Sequence, residues 1–167
     1  MEIKILDINT ETLESKLAAL GANKVFDDFR TITYFKNPKD DGVPFLKLTE
    51  EGEKLKLSSQ DLENHEDVKV FVSRKNECVR LLATLGYVPV SEVKARRISC
   101  ELGSIDFDID QFPGIPAFLE IDMGENPLMT SEELSSKLGL ENNKKGQYST
   151  PEIVEMYGKD YFEIYRL

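Results

Sequence analysis

Residues 105–122 read IDFDIDQFPGIPAFLEID, in which bulky apolar side chains alternate with carboxylates on both sides of a Pro113-Gly114 turn. Side chains on a β-strand point to opposite faces at period two, so each arm has one apolar face and one acidic face. The Pro-Gly turn favours pairing of the two arms as a hairpin. We therefore predict two antiparallel strands whose carboxylates share a face: Asp106, Asp108, Asp110, Glu120 and Asp122.

The same alternation recurs in other segments, where lysine joins the carboxylates. It is seen at 2–5 (EIKI), 45–48 (FLKL), 54–57 (KLKL) and 67–70 (DVKV), and at 93–96 (VKAR). One such strand is typical of any antiparallel sheet with a solvated face. A set of such strands that carries both Lys and carboxylates instead favours a barrel with a charged interior. Closing the sheet into a barrel also removes its exposed edges. The competing interpretation is that these faces point to solvent and carry ordinary surface charge.

The chain also repeats itself. Residues 2–34 and 67–99 align without a gap at an offset of 65, so that Leu17 and Gly21 correspond to Leu82 and Gly86. Each copy reads as a strand, a helix, a Leu-Gly stop and a second strand, and a hairpin follows it, at 45–60 and at 102–122. We predict an α+β fold, an antiparallel eight-stranded β-barrel built from two related halves with helices packed outside, as a single domain over residues 1–167.

Composition narrows the classes of function. The formal net charge of −10 over 167 residues argues against a nucleic-acid partner, although a local basic pocket could still bind a small polyanion. No apolar run approaches the ~20 residues that span a bilayer, so no membrane partner is expected. The chain has two cysteines and no CxxC motif, which favours a reduced, cytoplasmic setting. It has neither a Walker A loop nor a GxGxxG motif.

These segments resemble the CYTH family, or triphosphate tunnel metalloenzymes, which includes class IV adenylyl cyclases, thiamine triphosphatases and inorganic triphosphatases. Glu2 and Lys4 resemble the end of its opening ExExK strand. Residues 46–52 (LKLTEEG) resemble its basic LRLR hairpin, and 93–97 (VKARR) resemble its KxR strand. Residues 110–122 resemble its D-x-x-P-G…F-x-E-x-E signature, which is the most specific match. The resemblance covers nearly the whole chain.

The resemblance implies a tunnel that binds a small-molecule triphosphate, such as tripolyphosphate, ATP or thiamine triphosphate, together with Mg²⁺ or Mn²⁺. It implies phosphohydrolase activity first, with cyclisation of ATP to cyclic AMP as the alternative and a non-catalytic binding module as the second alternative. Glu2 and Glu120 are the implied catalytic residues. The implied triphosphate-binding residues are Lys4, Lys47, Lys56, Lys94 and Arg96, and the implied metal ligands are Glu2, Asp110, Glu120 and Asp122.

The chain departs from the family pattern at four places. The first Glu of ExExK has no counterpart, because Met1 falls just after its position. Thr49 stands where a hairpin Arg is expected, Gln60 stands near the place of a hairpin Lys, and Asp122 is a shortened Glu. These losses weaken the implied metal and triphosphate sites, which is why a binding module without turnover stays open. The organic part of the substrate and the oligomeric state also stay open, a homodimer included.

Overall fold

The computed structural model describes residues 2–39, 45–60 and 67–167, without the side chains of Gln60 and Asp67. The departures noted at Met1 and at the Gln60 side chain therefore lie outside the described residues. The described elements are β1 Glu2–Ile5, α1 Thr10–Ala19, β2 Asn23–Lys36, β3 Leu46–Glu51, β4 Lys54–Gln60, β5 Asp67–Phe71, α2 Lys75–Thr84, β6 Val88–Leu102, β7 Ile105–Gln111, β8 Phe118–Asp122, α3 Ser131–Leu138, β9 Lys145–Gly146, α4 Thr150–Met156 and α5 Tyr161–Ile164.

The repeat seen in the sequence is present in the structure. Helices α1 and α2 begin 65 residues apart, as do strands β1 and β5 and strands β2 and β6. Gly21 follows α1 with φ +86°, and Gly86 follows α2 with φ +88°. In both copies the next amide donates a hydrogen bond back into the helix, to Leu17 in one and Leu82 in the other. The left-handed φ favours glycine, so the Leu-Gly stop is confirmed twice.

The chain forms two compact units that do not coincide with the two copies. Unit 1 comprises Met1–Asp28 and Ala95–Gly158, and unit 2 comprises Phe29–Lys94 and Lys159–Leu167. The strand order is β6-β7-β8-β1-β9 in unit 1 and β5-β4-β3-β2 in unit 2. The first strand of each copy pairs with the last strand of the other, β1 with β8 and β5 with β4, and both pairs are antiparallel. This exchange of first strands explains why units and copies differ.

The predicted closed eight-stranded barrel is not confirmed. Nine strands are described rather than eight, because the two-residue strand β9 pairs antiparallel with β1. The pairings described within each unit form an open run of neighbouring strands and not a ring. The antiparallel α+β character of the fold is confirmed.

The core of unit 1 lies on one face of its sheet. Ile98 on β6, Ile105, Phe107 and Ile109 on β7 and Leu119 on β8 are fully buried. They form one cluster with apolar side chains of α1 and α3, which cover this face. Burying a side chain of this size contributes about 1.5–3 kcal/mol. Since side chains alternate along each strand, this packing fixes the opposite face as the one that carries the charges.

Unit 2 has a core cluster of its own. Phe35, Leu48, Cys78 and Leu82 pack together between the sheet and α2. The C-terminal tail also folds onto this unit, where Tyr165 is buried and its carbonyl accepts a hydrogen bond from the amide of Glu92. None of the described helices is long and apolar enough to cross a membrane.

Candidate functional site

The polar face of β1, β6, β7 and β8 in unit 1, called here the charged face, arranges its side chains in rows across the strands. Each row joins residues that the strand register places opposite one another. The outer row is Glu101, Asp106, Asp122 and Glu2; the inner row is Ser99, Asp108, Glu120 and Lys4; the third row pairs Arg97 with Asp110. The alternation predicted for β1, β7 and β8 therefore brings the carboxylates onto one face.

Arg97, on β6, contacts carboxylates of the inner and the third row. Its Nε and Nη2 donate to the two carboxylate oxygens of Asp110 at 2.8 and 2.6 Å, and Nη1 donates to Asp108. The Nη2 atom is also 3.7 Å from Oε2 of Glu120. The Arg97 side chain is 11% exposed and that of Asp110 only 1%. A planar fork is well suited to such two-point contacts, and a buried one is shielded from solvent.

The buried charges stabilise one another. Burial alone would lower the pKa of Arg97, but Asp110, Asp108 and Glu120 outweigh it and raise that pKa above its ordinary value. Burial raises the pKa of Asp108, although Arg97 and the Ser99 hydroxyl, which donates to it, act in the opposite direction. Arg97 therefore stays charged and offsets part of the cost of placing carboxylates side by side.

Lys4 is the second buried cation of the charged face. Its Nζ donates to Glu2 and lies 3.3 Å from Oε2 of Glu120, and its side chain is 8% exposed. Burial alone would lower the pKa of Lys4, but Glu120 and Glu2 raise it above the usual value. Glu120 is thus the carboxylate that contacts both cations.

The outer row contains only acids. Burial raises the pKa of Asp106, and repulsion from Glu101 and Asp122 adds to that rise. Oδ1 of Asp122 accepts a hydrogen bond from the amide of Gly124 at 3.3 Å. Of the implied metal ligands, the structure places Glu2, Glu120 and Asp110 in contact with Lys4 or Arg97. The fourth, Asp122, lies opposite Glu2 in the outer row.

The predicted placement of Arg96 on the charged face is wrong. Its Nε and Nη2 donate to Oδ1 of Asp27 at 2.9 and 2.7 Å, and Asp27 also binds Lys24. Arg96 shares its side of β6 with the core residue Ile98, because side chains alternate. By the same alternation Lys94 lies on the side of Arg96, and its Nζ is 5.0 Å from the centre of the Phe29 ring in unit 2. Neither cation joins the inner row.

Sequence reasoning missed Arg97 because the apolar pattern of β6 changes parity. Val93 and Ala95 are buried at odd positions, whereas Ile98 and Cys100 are buried at even ones. The prediction extended the first pattern and so aimed Arg96 at the charged face. Counting back from Ile98, whose partner Ile109 belongs to the acidic hairpin, would have found Arg97.

Unit 2 carries its own group of cations. Lys47 lies opposite Ser58, and Lys56 lies opposite Thr49, which places both lysines on the face of β3 and β4 that points away from the Leu48 core. Thr49, which replaces an expected Arg, is buried on this face. Arg30 on β2 also belongs to this face by register and is buried. It was not predicted, because its neighbours in β2 do not alternate in charge.

The residues of the charged face have the right chemistry for a hard divalent cation, since carboxylate oxygens are its preferred ligands. The arrangement of these residues is less suited to a metal than their chemistry is. No group of three or more His, Cys, Asp or Glu among the described residues is disposed to hold a metal. Lys4 and Arg97 stand among the carboxylates as resident cations.

No protein-family model matches the sequence, and no curated protein matches it. Solved structures do match. A Vibrio parahaemolyticus protein assigned as an adenylate cyclase has a TM-score of 0.78 at 15% identity, over 93% of this chain and 97% of that one. The chain has a CYTH-like fold.

Two further structures share this CYTH-like fold. A Pyrococcus horikoshii protein has a TM-score of 0.67 at 21% identity, over 99% of this chain and 100% of its own. A Hippeastrum protein assigned as an adenylyl cyclase, with a dominant triphosphatase activity, has a TM-score of 0.59 at 13% identity, over 95% of this chain and 97% of its own. At such identities the likeness establishes the fold.

Proposed function

We propose that this protein is a metal-dependent phosphohydrolase that cleaves inorganic or organic triphosphates. The observation that carries the proposal is the charged face, where carboxylates and two buried cations meet on adjacent strands. Phosphate oxygens suit Lys and Arg, and divalent cations suit carboxylates, so one surface can serve a polyphosphate and its metal. The triphosphatase activity of the Hippeastrum protein with this fold supports the choice of reaction.

The roles follow from the contacts. Lys4 and Arg97 would bind phosphate oxygens, and Arg97 takes the place given to Arg96 by the family pattern. Glu2, Asp110, Glu120 and Asp122 would hold Mg²⁺ or Mn²⁺, which when bound polarises phosphoryl oxygens and orients the attacking group. Glu2 and Glu120 are the proposed catalytic residues, as the family pattern implies, and both contact Lys4.

The phosphate-binding roles of Lys47 and Lys56 in unit 2 stay part of the proposal, since both lie on the face away from the unit 2 core. For Lys94, only the family pattern supports a phosphate-binding role. No covalent nucleophile is required in this scheme, because water would be the attacking group of an in-line displacement.

A class IV adenylyl cyclase is the second candidate, favoured by the fold shared with the Vibrio protein. The two reactions use the same phosphate and metal contacts and differ in the attacking group, which is water in hydrolysis and the ribose hydroxyl of ATP in cyclisation. The product therefore distinguishes them. A binding module without turnover is the third outcome, and the loss of an expected Arg at Thr49 favours it.

The test combines binding with product analysis. Tripolyphosphate, ATP and thiamine triphosphate are each added with Mg²⁺, with Mn²⁺ and without metal, and melting temperature, phosphate release and cyclic AMP are measured on the same samples. A ligand that binds only the folded state raises the melting temperature. We expect phosphate release that requires metal and that falls by ~100-fold or more in Glu120→Gln, as for loss of a catalytic carboxylate.

The matched control is Glu155→Gln on α4, an exposed residue outside the charged face. It removes the same charge, and it reports any contaminating phosphatase because it is purified in the same way. Cyclic AMP from ATP would shift the assignment to the cyclase, and a metal-linked melting shift with no product would shift it to the binding module. Phosphate release that is equal in Glu120→Gln and wild type, or no response to any triphosphate, would overturn the proposal.

A further inference from the structure

We propose that Arg30 and the hydroxyl of Tyr161 form an oxyanion site in unit 2 that binds one phosphate group. The inference rests on the proposed function for the choice of ligand, and it adds two binding residues that the family pattern does not imply. The site lies wholly within unit 2, on the face of β2, β3 and β4 that carries Arg30, Lys47 and Lys56, called here the basic face. It requires no metal.

The charge of the basic face favours an anion. Arg30 lies opposite Glu51, which in turn lies opposite Lys54, so these three side chains form one row. The neighbouring rows add Lys56 and Lys47. The four basic side chains outweigh the carboxylate of Glu51, so a phosphate group that approaches this face is attracted.

Arg30 lies where it can replace the arginine that the family pattern places at Thr49. Thr49 is the partner of Ile32, which makes it a diagonal cross-strand neighbour of Arg30. The two positions of such a pair are about 7–8 Å apart, within reach of a long side chain. Both Arg30 and Thr49 are buried. A guanidinium has five donors, so Arg30 can bind an oxyanion in addition to its contacts within the protein.

The hydroxyl of Tyr161 is the group that points to a ligand. Tyr161 begins α5 and is 2% exposed, and its ring centre is 5.3 Å from that of Tyr34. Since Tyr34 lies opposite Lys47, Tyr161 packs on the basic face. No hydrogen-bonding group in the part of the chain that the structure describes pairs with this buried hydroxyl. Burying a polar group without a partner is costly, which favours a ligand that accepts from it.

The hydroxyl and the guanidinium act on each other. Burial raises the pKa of Tyr161 above its ordinary value, and Tyr34 and Tyr165 add to that rise, whereas the charge of Arg30 acts in the opposite direction. The Tyr161 hydroxyl therefore stays protonated at neutral pH and is a donor. Phosphate oxygens accept charge-assisted hydrogen bonds from such a hydroxyl and from a guanidinium together. The pair is thus suited to an oxyanion.

The test measures the binding of inorganic phosphate by isothermal titration calorimetry, with EDTA present so that no divalent cation contributes. Tyr161→Phe removes the hydroxyl and keeps the ring. We expect its phosphate dissociation constant to be higher than that of wild type by about tenfold or more, because a hydrogen bond to a charged group is lost. Tyr157→Phe makes the same change in unit 1, where Tyr157 donates to Asp7, and should leave the constant unchanged.

The melting temperature gives a second readout that a purely structural hydroxyl would move in the opposite direction. In phosphate-free buffer, Tyr161→Phe should melt at the wild-type temperature or above it, since no described hydrogen bond is lost and a costly buried group is removed. Added phosphate should raise the melting temperature of wild type more than that of the variant. A variant that melts below wild type without phosphate would show that the hydroxyl is bonded within the protein, and would overturn the inference.

Arg30 is tested separately. Arg30→Lys keeps the charge without the planar fork, so it should weaken phosphate binding, but by a smaller factor than Arg30→Gln. The control is Arg80→Lys, which makes the same change at an exposed position of α2 and should leave the dissociation constant unchanged. Phosphate affinity that is the same in Arg30→Gln and in wild type would contradict the site.

The outcomes separate the two proposals. Wild type that does not bind phosphate, or that binds it no better than Tyr161→Phe does, overturns the inference, and metal-dependent phosphate release from a triphosphate would still support the proposed function. Phosphate binding that requires the Tyr161 hydroxyl, in a protein that releases no phosphate from any triphosphate, supports the oxyanion site and overturns the proposed function.

Discussion

Arg97→Gln should destabilise the fold far more than an ordinary surface arginine does. The substitution removes the guanidinium that binds both carboxylate oxygens of Asp110, whose side chain is 1% exposed. It also withdraws a charge-assisted hydrogen bond from Asp108. Removing one partner of a buried ion pair costs about 3–5 kcal/mol, because the remaining buried charge loses that attraction. We expect the free energy of unfolding to fall by that amount.

The matched comparison is Arg96→Gln, one residue away on the other side of β6. Arg96 binds Asp27 through Nη2 at 2.7 Å, but the two side chains are 40% and 29% exposed. Solvent-exposed pairs contribute about 0.2–1 kcal/mol, so Arg96→Gln should cost at most ~1 kcal/mol. The two substitutions are chemically identical, and only the environment differs.

Urea unfolding followed by far-ultraviolet circular dichroism gives the free energies by linear extrapolation. The double variant Arg97→Gln/Asp110→Asn completes a cycle, since it removes both members of the pair. It should recover a large part of the loss, with a coupling energy of at least ~1 kcal/mol, within the range for residues in one network. Equal losses in Arg97→Gln and Arg96→Gln, or a coupling energy near zero, would refute the buried pair described here.

Three smaller predictions also concern the stability of the fold. Gly124→Ala should cost about 1–3 kcal/mol, because Gly124 has φ +56° and an added Cβ would lie 2.0 Å from the carbonyl oxygen of Ser104; an unchanged melting temperature would contradict it. Tyr157 donates to Asp7 at 2.7 Å, and burial first, then this bond, raises its pKa to about 12. The pKa of tyrosine in the unfolded chain is ~10. The protonated Tyr157 hydroxyl therefore contributes up to ~1 kcal/mol to the free energy of unfolding below pH ~10, after solvent screening, and this contribution is lost as the pH rises towards ~12. Tyr157→Phe should lose less stability than wild type over that alkaline range. Thr130→Ala removes the N-cap of α3 and should cost ~1 kcal/mol, whereas Thr130→Ser should cost less.

The repeat and the acidic hairpin were predictable from sequence because both are local patterns. The same helix end recurs in each copy, at Leu17 to Gly21 and at Leu82 to Gly86. Both glycines have a positive φ, a backbone conformation that few other residues adopt. The alternation of Asp108 with Phe107 and Ile109 is unambiguous, since one face of β7 is buried and the other carries charge. Where one face is apolar and the other is charged, period two determines which face each side chain occupies.

The parity of β6 could not be predicted in the same way. Ala95 and Ile98 are both fully buried although they lie on opposite sides of the strand, so burial alternates before and after them with opposite parity. A one-residue error in parity exchanges every side chain between the faces, and this error assigned Arg96 the place of Arg97. Strand β9 is too short to produce a period, and its pairing with Lys4 and Ile5 depends on contacts distant in sequence.

The surplus of carboxylate on the charged face links stability to the order of ligand binding. Lys4 and Arg97 neutralise only part of the acidic rows, and the outer row of Glu101, Asp106, Asp122 and Glu2 has no basic member. A triphosphate that arrives alone therefore meets net repulsion, whereas a divalent cation is attracted and lowers the local negative charge. The cation should bind before or together with the triphosphate. Because it also relieves repulsion among the carboxylates, it should stabilise the free protein in proportion to the logarithm of its concentration above the dissociation constant.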